Sequence, residues 1–164
     1  MKTFVILLIL AICSLSIGKA DSVKPDFARL IHEWEIREMK MTPFSVDNLV
    51  KYLKLIDAPD PEMMIAQFVV ETGWFKSKLF TKGNNICGMK LAHKRQTTAT
   101  GQMYGYAAFE HWTDSVDDFM KWLEYHGLSD RYFEQVQKKS YSENGNYHQL
   151  VMSVHRTIQA RNLV

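Results

Sequence analysis

Cysteine is almost absent from this chain of 164 residues, which has only two. Cys13 lies in the apolar N-terminal stretch and Cys87 stands alone beyond it, so an internal disulfide is excluded once that stretch is removed. A lone cysteine reads first as a small buried apolar residue, and only second as a nucleophile. Net charge is nearly missing too. Lys and Arg number 20 against 18 Asp and Glu, and two of the lysines, Lys2 and Lys19, fall within residues 1–20. Residues 21–164 therefore balance, which argues against a broad electrostatic grip on nucleic acid or anionic lipid. No apolar run is long enough to cross a bilayer. The histidines, His32, His93, His111, His126, His148 and His155, show neither the close pairing nor the carboxylate spacing of a zinc helix, and no glycine-rich phosphate loop occurs. No cofactor, metal or obligate protein partner is implied, and no repeat, low-complexity tract or long linker divides the chain.

At the N-terminus, Met1-Lys2 gives a positive start, Thr3 to Ile12 is a short apolar run, and Gly18-Lys19-Ala20 offers small residues for cleavage. Residues 1–20 read as a secretory signal peptide and 21–164 as one domain, secreted to the periplasm or the outside. Leu10-Ala11-Ile12-Cys13 loosely resembles a lipoprotein processing site. A lipid anchor at Cys13 is the lesser alternative, because isoleucine before the cysteine fits poorly.

The remainder reads as helices with one interruption. Asp26 to about Met39 has apolar residues at mostly helical spacing. Ser45 is placed to cap a helix over 46–56, with Phe44 as its staple. Asp60-Pro61-Glu62 combines a capping side chain, a preset φ and a first-turn charge. The helix it opens carries Met64, Ala66, Phe68, Val69 and Val70 and is expected to be buried on most sides. From Gly83 to Phe109, glycines alternate with Thr97, Thr98, Tyr104 and Tyr106, which suits a small hairpin lobe. Thr113 is expected to cap a helix over 114–126 ended by Gly127, and helices over 130–139 and 147–159 complete the set. The fold class is α+β, mainly α: a helical body with a small β-hairpin lobe and a cleft between them.

Glu71 closes the buried helix within Gln67-Phe68-Val69-Val70-Glu71-Thr72-Gly73-Trp74. A carboxyl held among apolar side chains at the negative end of a helix dipole is pushed toward its protonated form, which suits a general acid at neutral pH. The plain alternative is an acidic residue near a helix end that faces water.

Four blocks in order carry a resemblance: Met64 to Trp74; Asn84-Asn85-Ile86-Cys87-Gly88-Met89-Lys90; Tyr106 to Phe109 with Trp112 to Phe119; and Tyr141-Ser142-Glu143-Asn144-Gly145-Asn146-Tyr147. Together they resemble the glucosaminidase family of peptidoglycan hydrolases, the flagellar-rod-muramidase and autolysin type with a lysozyme-like domain. The resemblance implies peptidoglycan glycan strands as substrate and endo-β-N-acetylglucosaminidase chemistry. It places Glu71 at the catalytic glutamate, Asn84 and Asn85 at an asparagine pair facing the cleft, and Tyr141 and Tyr147 at two late tyrosines; Trp74 joins them as a sugar contact.

The chain also departs from that pattern. From Leu91 to Phe109 there is no Asp or Glu, whereas relatives carry a second acidic residue in the lobe. Phe109 replaces a tyrosine, and Asn144-Gly145 replaces an acidic-proline pair. Glu110, Asp114, Asp117 and Asp118 are the nearest acids, the last three at a helix start where capping or solvation is expected. With one carboxylate the routes open are water held by tyrosine and backbone, attack by the substrate's own N-acetyl group, and ring closure as in lytic transglycosylases. A wall-binding protein on the same scaffold is the remaining alternative. Lys94-Arg95 reads as solvated surface.

Overall fold

The computed structural model describes residues 26–128, 132–134 and 145–161. The expected leader with Cys13, Tyr141, and most of the expected helix over 130–139 lie outside the described residues. The chain divides after Leu30 into two units. Of the first, residues 26–30 are described, where Asp26 Oδ1 accepts from Arg29 N at 3.2 Å; the remaining described residues belong to the second.

Helix α1 is Phe27–Met39. Helix α2, Val46–Leu55, starts where expected, with Ser45 accepting from Asn48 N. It buries Leu49, Tyr52 and Leu53, the one-face pattern of an amphipathic helix. Helix α3, Pro61–Thr72, is different: Met63 to Val69 are all buried, as is Thr72. An all-round apolar helix with proline at its start and Asp60 accepting from Met63 N is built to be the centre of a core. Phe68 packs edge-on against Phe119, with ring centroids 5.5 Å apart, and truncating such a side chain typically costs about 3–5 kcal/mol.

A short helix not anticipated from sequence, α4 (Lys78–Gly83), follows, capped by Ser77; six residues are too few for apolar periodicity to show. The lobe falls within the expected 83–109. Its sheet is one antiparallel hairpin, β1 (Gly101–Met103) against β2 (Tyr106–Ala108), with Gly101 opposite Ala108 and Met103 opposite Tyr106. Tyr104 and Gly105 both have positive φ, the geometry that matches a two-residue turn to strand twist.

Helix α5 is Trp112–Tyr125, and its cap is His111 rather than Thr113. Trp112 Nε1 and His111 Nε2 both reach Thr42 O, at 2.9 and 3.0 Å, and this anchor starts the helix two residues early. His111 N then donates to Asp114 Oδ2 at 3.1 Å, while Thr113 is buried in the first turn. Tyr132, Phe133 and Glu134 are helical. Helix α6, Tyr147–Ala160, packs along α3 and buries Tyr147, Val151 and Ile158. Among the described residues no helix is long and apolar enough to cross a membrane.

Candidate active site

Three segments meet at Glu71: the C-terminal end of α3, the loop after α4 and the N-terminal end of α6. The burial of α3 carries Glu71 into the protein, and its carboxyl remains only partly accessible. Burial is the larger influence on it and pushes its pKa above the ordinary value of 4.5, because a charge gains less from this surrounding than from water. The Tyr147 hydroxyl works the other way, donating to Glu71 Oε1 at 2.7 Å and favouring the ionised form. Burial wins, so the acid stays protonated to higher pH than a solvated glutamate.

Gly88 closes the other side. Its φ of +66° belongs to the left-handed region, and a Cβ built on it would lie 2.7 Å from Glu71 Oε2. Only glycine meets both demands, backbone conformation and close approach. Nothing in the octapeptide around Glu71 foretold this, although Gly88 stands in the second of the four sequence blocks.

Beyond Glu71 the chain takes three left-handed residues in succession: Gly73, Trp74 and Phe75, with φ of 55°, 61° and 59°. Gly73 ends α3, and Trp74 N donates to Val69 O at 2.9 Å, the return bond of a helix C-cap. Thr72 Oγ1 donates to Phe68 O at 2.6 Å and accepts from Phe75 N at 2.9 Å. Phe75 is thereby fixed against Phe44 and Phe80, and the Trp74 ring is left 57% exposed. An exposed indole on a strained backbone is an outlier of the kind that gathers at functional sites.

Asn84 and Asn85 are turned to the lobe. Asn84 Nδ2 donates to Phe109 O and Glu110 O, at 3.1 and 2.8 Å. Asn85 is wholly enclosed: Nδ2 donates to Met89 O and Ala107 O, both at 2.8 Å, and Oδ1 accepts from Met89 N at 3.0 Å. Phe109 N donates to Gly83 O at 2.9 Å. The pair thus ties the hairpin to the end of α4. Tyr141 lies outside the described residues.

Asp114, Asp117 and Asp118 of α5 are engaged. Asp114 caps its helix. Asp117 accepts from the Tyr52 hydroxyl and from Lys40 Nζ, the latter at 2.7 Å. Asp118, expected to be solvated, is fully buried, and so is most of Arg95, expected at the surface: their contacts are 3.0 and 2.7 Å. Asp118 also accepts from Thr97 Oγ1 and Thr98 N, so it fastens the loop before β1 to α5. Sequence alone does not reveal this pair because its members are 23 positions apart. Cys87 is enclosed, its thiol donates to Ser115 O at 3.4 Å, and burial pushes its pKa well up. A neutral packed thiol is no nucleophile. Among the described residues, no group of three His, Cys, Asp or Glu side chains is placed to hold a metal ion.

Comparison with known proteins bears on the family. The sequence profile of the Glucosaminidase family, described as mannosyl-glycoprotein endo-beta-N-acetylglucosaminidase, matches residues 47–160. The protein bax of Escherichia coli (strain K12) is 34% identical over 74 residues, spanning 45% of this chain and 27% of that protein. The crystal structure of the catalytic domain of the autolysin Auto from Listeria monocytogenes is similar over 96% of this chain and 95% of its own, at 16% identity and a TM-score of 0.48. In class the match is to a family of glycoside hydrolases. The profile covers well over half of the sequence, and the chain belongs to the glucosaminidase family.

Proposed function

We propose that Glu71 is the general acid of an endo-β-N-acetylglucosaminidase-type enzyme that cuts the β-1,4 bond after N-acetylglucosamine in peptidoglycan glycan strands. The observation that carries this reading is the state of one carboxyl: half-buried, held toward its protonated form by burial, and oriented by the Tyr147 hydroxyl and the Gly88 backbone. A protonated Glu71 gives its proton to the departing sugar oxygen. As the negative charge then appears on Glu71, the Tyr147 hydroxyl is already in place to receive it.

Trp74 offers an exposed ring to an N-acetyl sugar, and Tyr147 both orients the acid and borders the bound chain. Asn84 and Asn85 act through the lobe they hold, and Tyr141 completes the substrate contacts that family resemblance suggests. Residues 1–20 act as the leader and 21–164 as the catalytic domain, working outside the cytoplasm on the wall. A lipid anchor at Cys13 is the lesser form of the same localisation.

A second route has an observation in its favour. The segment Leu91 to Phe109 has no acidic residue, and Asp114, Asp117 and Asp118 are committed to α5, Tyr52, Lys40 and Arg95. The lack of an acid in that segment favours attack by a group of the substrate itself, either the N-acetyl oxygen or, as in lytic transglycosylases, an internal hydroxyl of the sugar. Mass spectrometry of digested glycan strands separates the outcomes. Reducing N-acetylglucosamine ends support hydrolysis, anhydro ends support ring closure, and binding to wall without new ends marks a wall-binding protein.

A further inference from the structure

Gln67 is wholly enclosed, and neither Nε2 nor Oε1 of its amide has a hydrogen-bond partner among the described residues. Buried polar side chains are almost always satisfied, and one that is not calls for a reason. A methionine of similar length would fill the place without the desolvation penalty. Gln67 precedes Glu71 by four residues in α3, so the two lie on the same helix face one turn apart. Helical side chains lean toward the N-terminus, the direction that runs from Glu71 to the turn carrying Gln67. Oε1 of Glu71 is taken by Tyr147, while Oε2 lies against Gly88 and accepts from no described residue.

We propose that Gln67 is a positioning residue for Glu71: its amide turns to donate from Nε2 to Oε2 once the carboxyl has released its proton, and stands unpaired while the proton is present. This rests on the reading of Glu71 as the acid. It accounts for a buried amide without a partner among the described residues, since the carboxylate it serves arises only during the reaction. Among the described residues, few other titratable groups stand around Glu71. From α6 comes the Tyr147 phenol, and from the loop after α4 the Cys87 thiol, which feels the Glu71 charge. Asp117 and Asp118 of α5 act on Cys87, and Tyr52 of α2 bonds Asp117. Among the described residues no lysine, arginine or histidine pairs with Glu71.

Gln67→Met and Gln67→Leu test the proposal by three measurements: steady-state kinetics on soluble glycan fragments, titration of the Glu71 carboxyl by carbon-13 NMR, and thermal melting. Expected are a kcat lower by about tenfold or more with KM changed by less than about twofold, a Glu71 titration midpoint moved upward, and a melting temperature equal to or above that of the wild type. A wild-type titration midpoint in the folded variants overturns the proposal, whether kcat is retained or falls along with melting temperature. Failure of the parent reading is separate. It would show as wild-type activity in Glu71→Gln, whereas the titration of Glu71 measures the effect of Gln67 without any turnover.

Discussion

Glu71 is a contest between two influences of opposite sign. Burial raises its pKa and the Tyr147 hydroxyl lowers it, so removing the phenol has two separable effects. In Tyr147→Phe the carboxylate formed during the reaction loses a charge-assisted bond of roughly 1.5–3 kcal/mol, and kcat is expected to fall about 10- to 100-fold. The Glu71 pKa rises further at the same time, and the alkaline limb of the pH–rate profile moves upward. A profile unmoved by the substitution would separate Tyr147 from the acid. Stability follows the same group. An acid whose folded pKa is raised holds its proton more tightly when folded, so its stabilising contribution is complete below the ordinary 4.5 and is lost as pH rises through the folded value. Glu71→Gln, which never ionises, is therefore expected to melt higher than wild type at neutral pH and close to it at pH 4 or below. Melting curves of both proteins across that range check the sign.

At the scale of elements, the site is made by how α3 ends and by how the loop after α4 approaches it. Trp74 and Phe75 adopt a conformation that costs an ordinary side chain about 1–2 kcal/mol per residue. Because the Trp74 ring is mostly exposed, Trp74→Gly is expected to stabilise the fold by up to about 1 kcal/mol while weakening glycan binding, seen as a raised KM in the same preparation. Gly88→Ala is expected to do the opposite. It adds strain at φ +66° and pushes on Glu71 Oε2, so activity drops steeply, with a stability loss of about 1–2 kcal/mol read from denaturant midpoints. Much at this scale was legible beforehand. Ser45 and Asp60 declared the starts of α2 and α3 through cap chemistry, and the unbroken apolar run before Glu71 declared a buried helix. What local pattern could not give was α4, too short to show a period, and the true cap of α5. There the pull of Thr42 O on Trp112 and His111 comes from residues some 70 positions away.

The whole molecule shows the same division between near and far. Family membership was readable because the four blocks keep their order and spacing, and the role expected of Glu71 followed from its place at a helix end. The contacts that complete the site are long-range. Tyr147 meets Glu71 across 76 positions, and Arg95 with Asp118 clips the lobe to α5 in a pairing that reads as two solvated charges when each is seen in its own neighbourhood. Asn85, readable either as a turn former or as a cleft-facing amide, is consumed by three bonds that hold the hairpin. Asn84, Asn85 and Arg95 therefore serve the attachment of the lobe, and the proposed proton donor stands where α3, Gly88 and α6 converge.

Digestion of purified sacculi by the wild-type protein and by Glu71→Gln, with each new glycan end identified by mass spectrometry, tests this account most directly. The expected result is new N-acetylglucosamine-derived ends, reducing or anhydro, from the wild type and a loss of at least about a hundredfold in their rate of release from the variant, as removal of a positioned proton donor entails. Ends released equally by both proteins would contradict it.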